Sequence, residues 1–145
     1  MNTRSVRTIA WVLAAVLIGA NVAGYTFDLY AAYWWFDRVL HAATIFAMTF
    51  WLAVFVFDAA IREGRAARFV ILIACVGIAM GALWEVAEWA FDQVMPGDII
   101  KGKHDTLMDI MMDTAGAVLA ALLALRCRPR IARDTPLSGA SALVR

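Results

Sequence analysis

Two segments decide the reading of this chain: Trp84-Glu85-Val86-Ala87-Glu88-Trp89-Ala90-Phe91-Asp92, and Asp105-Thr106-Leu107-Met108-Asp109-Ile110-Met111-Met112-Asp113. The first closes one long apolar run and the second opens another, with a short polar hairpin between them. Together they carry six acids, and neither run contains a Lys or Arg to neutralise them. A carboxylate in hydrocarbon costs several kcal/mol and marks a functional site by default. The question is what those acids are for.

The surroundings are those of a membrane protein. The 145 residues are 63% hydrophobic and 17% charged, with a mean hydropathy of +0.73. A soluble domain is nearer half apolar and a quarter charged. Four runs are long enough to cross about 30 Å of hydrocarbon at about 1.5 Å per residue. They cover about 8–25, 37–57, 69–94 and 106–125. Short connections make sequential helices antiparallel neighbours. The expectation is an all-α, four-transmembrane-helix antiparallel bundle, with residues 1–128 as a single domain and 129–145 as a mobile cytoplasmic tail.

Basic residues give the orientation. Arg4 and Arg7 precede the first run, Arg62, Arg65 and Arg68 separate the second from the third, and Arg126, Arg128, Arg130 and Arg133 follow the fourth. The other side has Arg38, Lys101 and Lys103, so both termini are expected in the cytoplasm of a bacterium. The aromatic cluster Tyr30, Tyr33, Trp34, Trp35 and Phe36 then reads as an interfacial belt on the periplasmic side. The first run also resembles a signal peptide; its length favours an uncleaved helix. These short Arg clusters flanking apolar runs are topology signals, so nucleic acid is not an expected partner. Cys75 and Cys127 form neither a disulfide pattern nor a metal motif.

Each run has one polar stripe. Glu85, Glu88 and Asp92 fall at i, i+3, i+7 on one helical face, with Gly81 a turn earlier. Asp105, Asp109 and Asp113 fall at i, i+4, i+8, continued by Gly116. Asp37 and His41 are four apart, with Thr44 and Met48 extending their face, and Asn21 and Tyr25 pair likewise on the first run. Counted from the outer ends, His41 and Asp109 lie roughly 6 Å in, Glu88 and Asp113 roughly twice that, and Glu85 deepest. Antiparallel stripes therefore meet at one level in the outer half of the membrane. Asp105 also suits a helix N-cap, and Asp92 suits a solvated outer end. Gly77 and Gly81 form a G-x-x-x-G, more naturally explained by packing inside one bundle than by a homo-oligomer interface. The methionines, Met48, Met80, Met95, Met108, Met111 and Met112, read as flexible filler rather than a copper site.

Like charges gathered this closely need protons or a cation to compensate them. Carboxylates with an imidazole suit a divalent metal such as Zn, Mn or Fe, and facing carboxylates in a helical bundle are how di-metal sites are built. The E-x-x-H pairs of such sites are absent; the chain has E-x-x-E and D-x-x-x-H instead.

The ordered set Phe36-Asp37-Arg38-Val39-Leu40-His41, Trp84-Glu85-Val86-Ala87-Glu88-Trp89 and Asp105 through Ala117 resembles the YjdF-like family of bacterial inner-membrane proteins. A weaker similarity is to the VanZ-like proteins. The resemblance runs over about 33–125. It implies a membrane location and a shared site at Asp37, His41, Glu85, Glu88, Asp105, Asp109 and Asp113. It supplies no activity. This chain has four runs where YjdF-like proteins have more.

The expected function is therefore an inner-membrane protein with a metal-binding acidic cluster open to the periplasm. Asp37, His41, Glu88, Asp109 and Asp113 are the expected ligands, with Glu85 or Asp105 as catalytic base. Arg38, Lys101 and Lys103 would hold a phosphate headgroup during metal-assisted hydrolysis of a lipid or envelope precursor. The alternatives are cation or proton translocation along the acids, and a scaffold that pairs them with a partner's basic helix.

Overall fold

The computed structural model describes residues 3–56, 66–95 and 99–133. Among the described residues there are five helices: α1 (Thr3–Thr26), the short α2 (Leu29–Ala32), α3 (Phe36–Phe55), α4 (Ala66–Asp92) and α5 (Lys103–Arg133). Among the described residues, four helices are long and apolar enough to cross a membrane: Arg4–Thr26, Phe36–Phe55, Ala66–Asp92 and Lys103–Cys127. They are the four expected runs, packed together as an all-α bundle. Helix α5 continues to Arg133. The rest of the expected tail, 134–145, lies outside the described residues, as do Asp58, Arg62 and Arg65.

Helix α3 is the hub. It packs against α5, α4 and α1, while α4 and α5 pack against each other. Small residues permit these approaches, as expected in lipid, where close packing replaces the hydrophobic drive. A Cβ at Gly116 would collide with the backbone carbonyl of Ala42, and one at Gly77 with Thr49 Oγ1. At Gly81 it would stand 2.6 Å from the Asp113 carboxylate. Gly77 and Gly81 are both buried inside the chain. This corrects the alternative that they form a homo-oligomer interface, because α3 and α5 already occupy that face.

The half of the bundle away from His41 is apolar, built from residues such as Phe50, Val54, Phe69, Ile73, Ala120 and Ala124. Helix α1 joins it through Val6, Ala10 and Leu13 and through the edge of Trp11 on Trp51, centroids 5.5 Å apart; in its most apolar window just 11% of residues are buried, against 44% for α3. It lies on one side of the bundle and presents Trp11, Val12, Val16 and Ile18 outward.

Two connections shape the opposite end of the bundle. Asp28 takes a left-handed backbone (φ 54°), a conformation that Asp tolerates better than most residues. Its carbonyl accepts the Ala31 and Ala32 N–H groups, at 3.2 and 3.0 Å. This folds α2 back onto α1, where bare Gly24 makes room for the Tyr30 and Phe36 rings. Between α4 and α5, the Asp92 carboxylate accepts the N–H groups of Ile99 and Ile100 at 3.0 and 2.9 Å. Asp92 therefore closes the hairpin. Gly102 (φ 115°) makes the turn into α5.

A candidate metal centre around His41

His41 projects from the second turn of α3 into the space between α4 and α5, where it is 8% exposed. Each face of its ring meets acids. Nδ1 lies 3.3 Å from Asp113 Oδ1 and 3.7 Å from Glu85 Oε1, while Nε2 lies 3.7 Å from Asp37 Oδ1. With Nδ1 donating to Asp113, Nε2 is left to face Asp37. Donor atoms from two sets, Asp37–His41–Asp109 and His41–Glu85–Asp113, come within 4.8 Å of one another. Ligands held at about 2.0–2.2 Å from a common ion stand about 3–4 Å apart, so donor atoms within 4.8 Å would draw in by small side-chain shifts to share one.

The local sequence explains the convergence. Asp109 and Asp113 are successive positions on the α5 stripe that Gly116 continues, and Gly116 brings this stripe against α3 one residue past His41. Gly77, Gly81 and Glu85 form a single i, i+4, i+8 row on α4, pressed against Thr49 and Asp113. Glu85, Asp109 and Asp113 are 5%, 3% and 1% exposed. Two of their oxygens, Glu85 Oε1 and Asp109 Oδ1, are buried without a hydrogen-bond donor. A buried polar atom without a partner is rare and calls for an explanation.

The other residues singled out in the sequence are distributed more loosely. Glu88 stands outside both sets and accepts a 2.7 Å hydrogen bond from Trp84 Nε1. Asp105 is in the first turn of α5 rather than at its cap, since the helix begins at Lys103. Its carboxylate accepts the Lys101 N–H at 3.3 Å and pairs with Arg38 at 3.6 Å. Arg38 in turn donates to the Trp34 carbonyl and lies 5.7 Å from the Trp34 ring centroid. Lys101, Lys103 and His104 are exposed.

Beside the cluster is a chamber of about 270 Å³. Asp37, His41 and Asp113 line it, and Lys101 reaches its lining from the hairpin. One wall is Tyr30, whose hydroxyl donates to Asn21 Oδ1 at 3.0 Å. Burial, then the neighbouring Tyr25, Asp37 and Glu88, push the Tyr30 phenol above its ordinary range, so it stays a donor. Sequence reasoning placed Tyr30 in an interfacial belt. Of that belt, Tyr33, Trp34 and Trp35 are exposed, while Tyr30 and Phe36 turn inward. The available signal was Asn21, an amide within an apolar helix that needs a partner.

Comparison with known proteins agrees with this architecture. The model of a family described as "Predicted membrane protein (DUF2238)" matches residues 2–130. The chain belongs to this family. The YjdF-like proteins are the same family, so that resemblance holds. An uncharacterised protein of Thermotoga maritima is 25% identical over 107 residues, covering 73% of this chain and 56% of the relative. The chain thus spans just over half the length of that curated relative. No solved structure matches.

Proposed function

We propose that this DUF2238 protein is a metalloprotein of the bacterial inner membrane, with both termini in the cytoplasm and its site toward the periplasm. The reading gives Asp37, His41 and Asp109 the role of ligands to one divalent ion, Zn, Mn or Fe. The carrying observation is Asp109 Oδ1, an oxygen buried without a donor in the same set as the open Asp37. A bound cation would partner it. Nδ1 of His41, directed at Asp113 and Glu85, leaves Nε2 as the ligating nitrogen; a carboxylate behind a ligating imidazole fixes its tautomer and orientation. Asp113 and Glu85, expected as ligand and base, are assigned this orienting role. Glu88, bonded to Trp84 outside both sets, is not assigned as a ligand.

Such an ion supplies a hydroxide near neutral pH and polarises a phosphoryl oxygen. The reaction class that suits the site is hydrolysis of a phosphate-bearing lipid or envelope precursor. Asp37 faces the chamber and would hold the attacking water beside the ion. Lys101 is the cation available to a phosphate, because Arg38 is committed to Asp105. Passage of a cation through the protein is disfavoured by the apolar inner half beneath the cluster.

Elemental mass spectrometry on the detergent-purified wild type and on Asp109→Asn/Asp113→Asn tests the reading. One divalent metal per chain, lost in the variant, is the expected result. Folded wild type that carries no metal and takes up none when it is added would sink the idea.

A further inference from the structure

The chamber has features that a metal site does not require. It is lined by aromatic rings from three helices: Tyr25 from α1, Tyr30 from α2 and Trp84 from α4. The Tyr25 and Tyr30 centroids are 4.9 Å apart and their planes are inclined by 44°, so the two rings form a corner rather than a stack. Across from them the Trp84 indole holds the Glu88 carboxylate. Among the described residues, four carboxylates line the space, from Asp28, Asp37, Glu88 and Asp113, against Lys101 and the His41 imidazole. Acids thus outnumber bases on the described lining. Aromatic faces combined with carboxylates are the chemistry that recognises an ammonium group; a wholly anionic ligand would be repelled.

The opening of the chamber narrows the ligand further. Helix α1 packs on α3 and touches α5, and its lining residue Tyr25 is 70% exposed, as Trp84 on α4 is 46% exposed. Both residues are therefore accessible from outside the bundle. The volume of the chamber, about 270 Å³, is below the roughly 300–1,000 Å³ of sites that enclose a drug-sized molecule. It suits the head of a lipid whose chains remain outside.

We propose that this chamber is a headgroup site for a zwitterionic phospholipid bearing an ammonium group, entered laterally between α1 and α4. The ammonium lies among Tyr25, Tyr30 and Trp84 and pairs with Glu88, while the phosphate meets Lys101 at the rim. The assignment goes beyond the metal reading and does not depend on it.

Native mass spectrometry tests it on the full chain, released from nanodiscs containing equal phosphatidylethanolamine and phosphatidylglycerol. The wild type should retain phosphatidylethanolamine over phosphatidylglycerol by about tenfold. Glu88→Gln should abolish that preference with no loss of thermal stability. Tyr25→Leu, at an exposed position that tolerates the change, provides a second variant and should weaken it similarly. Asp109→Asn, which does not line the chamber, should keep the preference whatever its metal content. The metal reading and this one can therefore fail separately. Equal retention of the two lipids, a preference for phosphatidylglycerol, or an unchanged preference in both Glu88→Gln and Tyr25→Leu would overturn the proposal.

Discussion

At the scale of single residues, His41 and Tyr30 make opposite demands on their neighbours. His41 has acids at both nitrogens, so removing an acid should act differently on each side. Asp109→Asn takes away a proposed ligand and should abolish metal retention. Asp113→Asn removes an orienting group and should weaken metal affinity by about 10–100-fold. Titration of each variant with a competing chelator separates the two effects; equal losses would argue against the division of roles. Tyr30→Phe deletes the donor to Asn21 and should cost about 0.5–1.5 kcal/mol, read from thermal melting in detergent. The raised phenol also sets a pH limit. Below its ordinary value of about 10 it is protonated in both folded and unfolded chains and adds no pH dependence. Above it the unfolded chain ionises first, so stability should fall as pH rises past 10. Tyr30→Phe should show a smaller alkaline decline.

The element scale is where glycine decides what can approach. Gly116→Ala would drive a methyl group into the Ala42 carbonyl, and a backbone atom in a packed helix cannot swing aside. It should destabilise the protein by about 1–3 kcal/mol or more. Gly19→Ala meets nothing within 4 Å and should stabilise α1 by about 0.5–1 kcal/mol through helix propensity alone. Melting curves for the pair test whether packing, rather than glycine content, sets stability. The same elements explain how much of the site was legible in the sequence. The i, i+4, i+8 spacing on α5 correctly brought Asp109 and Asp113 toward one face. On α4, spacing of three and four placed Glu85 and Glu88 together, yet the helix turns Glu85 inward and leaves Glu88 at the chamber. The Gly77–Gly81–Glu85 row contained that distinction, since the residue above two buried glycines must share their burial. The inward turn of Tyr30 had Asn21 as its one signal and no periodicity, because it depends on the left-handed backbone at Asp28 and on the gap above Gly24.

For the whole molecule, four spans and their order followed from hydropathy and length, because a membrane-spanning helix must satisfy its own backbone. Orientation rests on the basic residues and can be measured directly. In a background with Cys75 and Cys127 replaced, Lys101→Cys should react with an impermeant maleimide in intact spheroplasts. Arg68→Cys should react only after permeabilisation; the reverse pattern would invert the topology. Another consequence follows from the placement of α1, which rests on one side of the bundle while α3, α4 and α5 enclose one another. In amide hydrogen exchange α1 should open first, as a separate unit of lower protection, with the other three helices exchanging later and together. The wall of the chamber is thus its least anchored part. A molecule settling against Tyr25 would slow exchange along α1 and leave the His41 helix at its own pace.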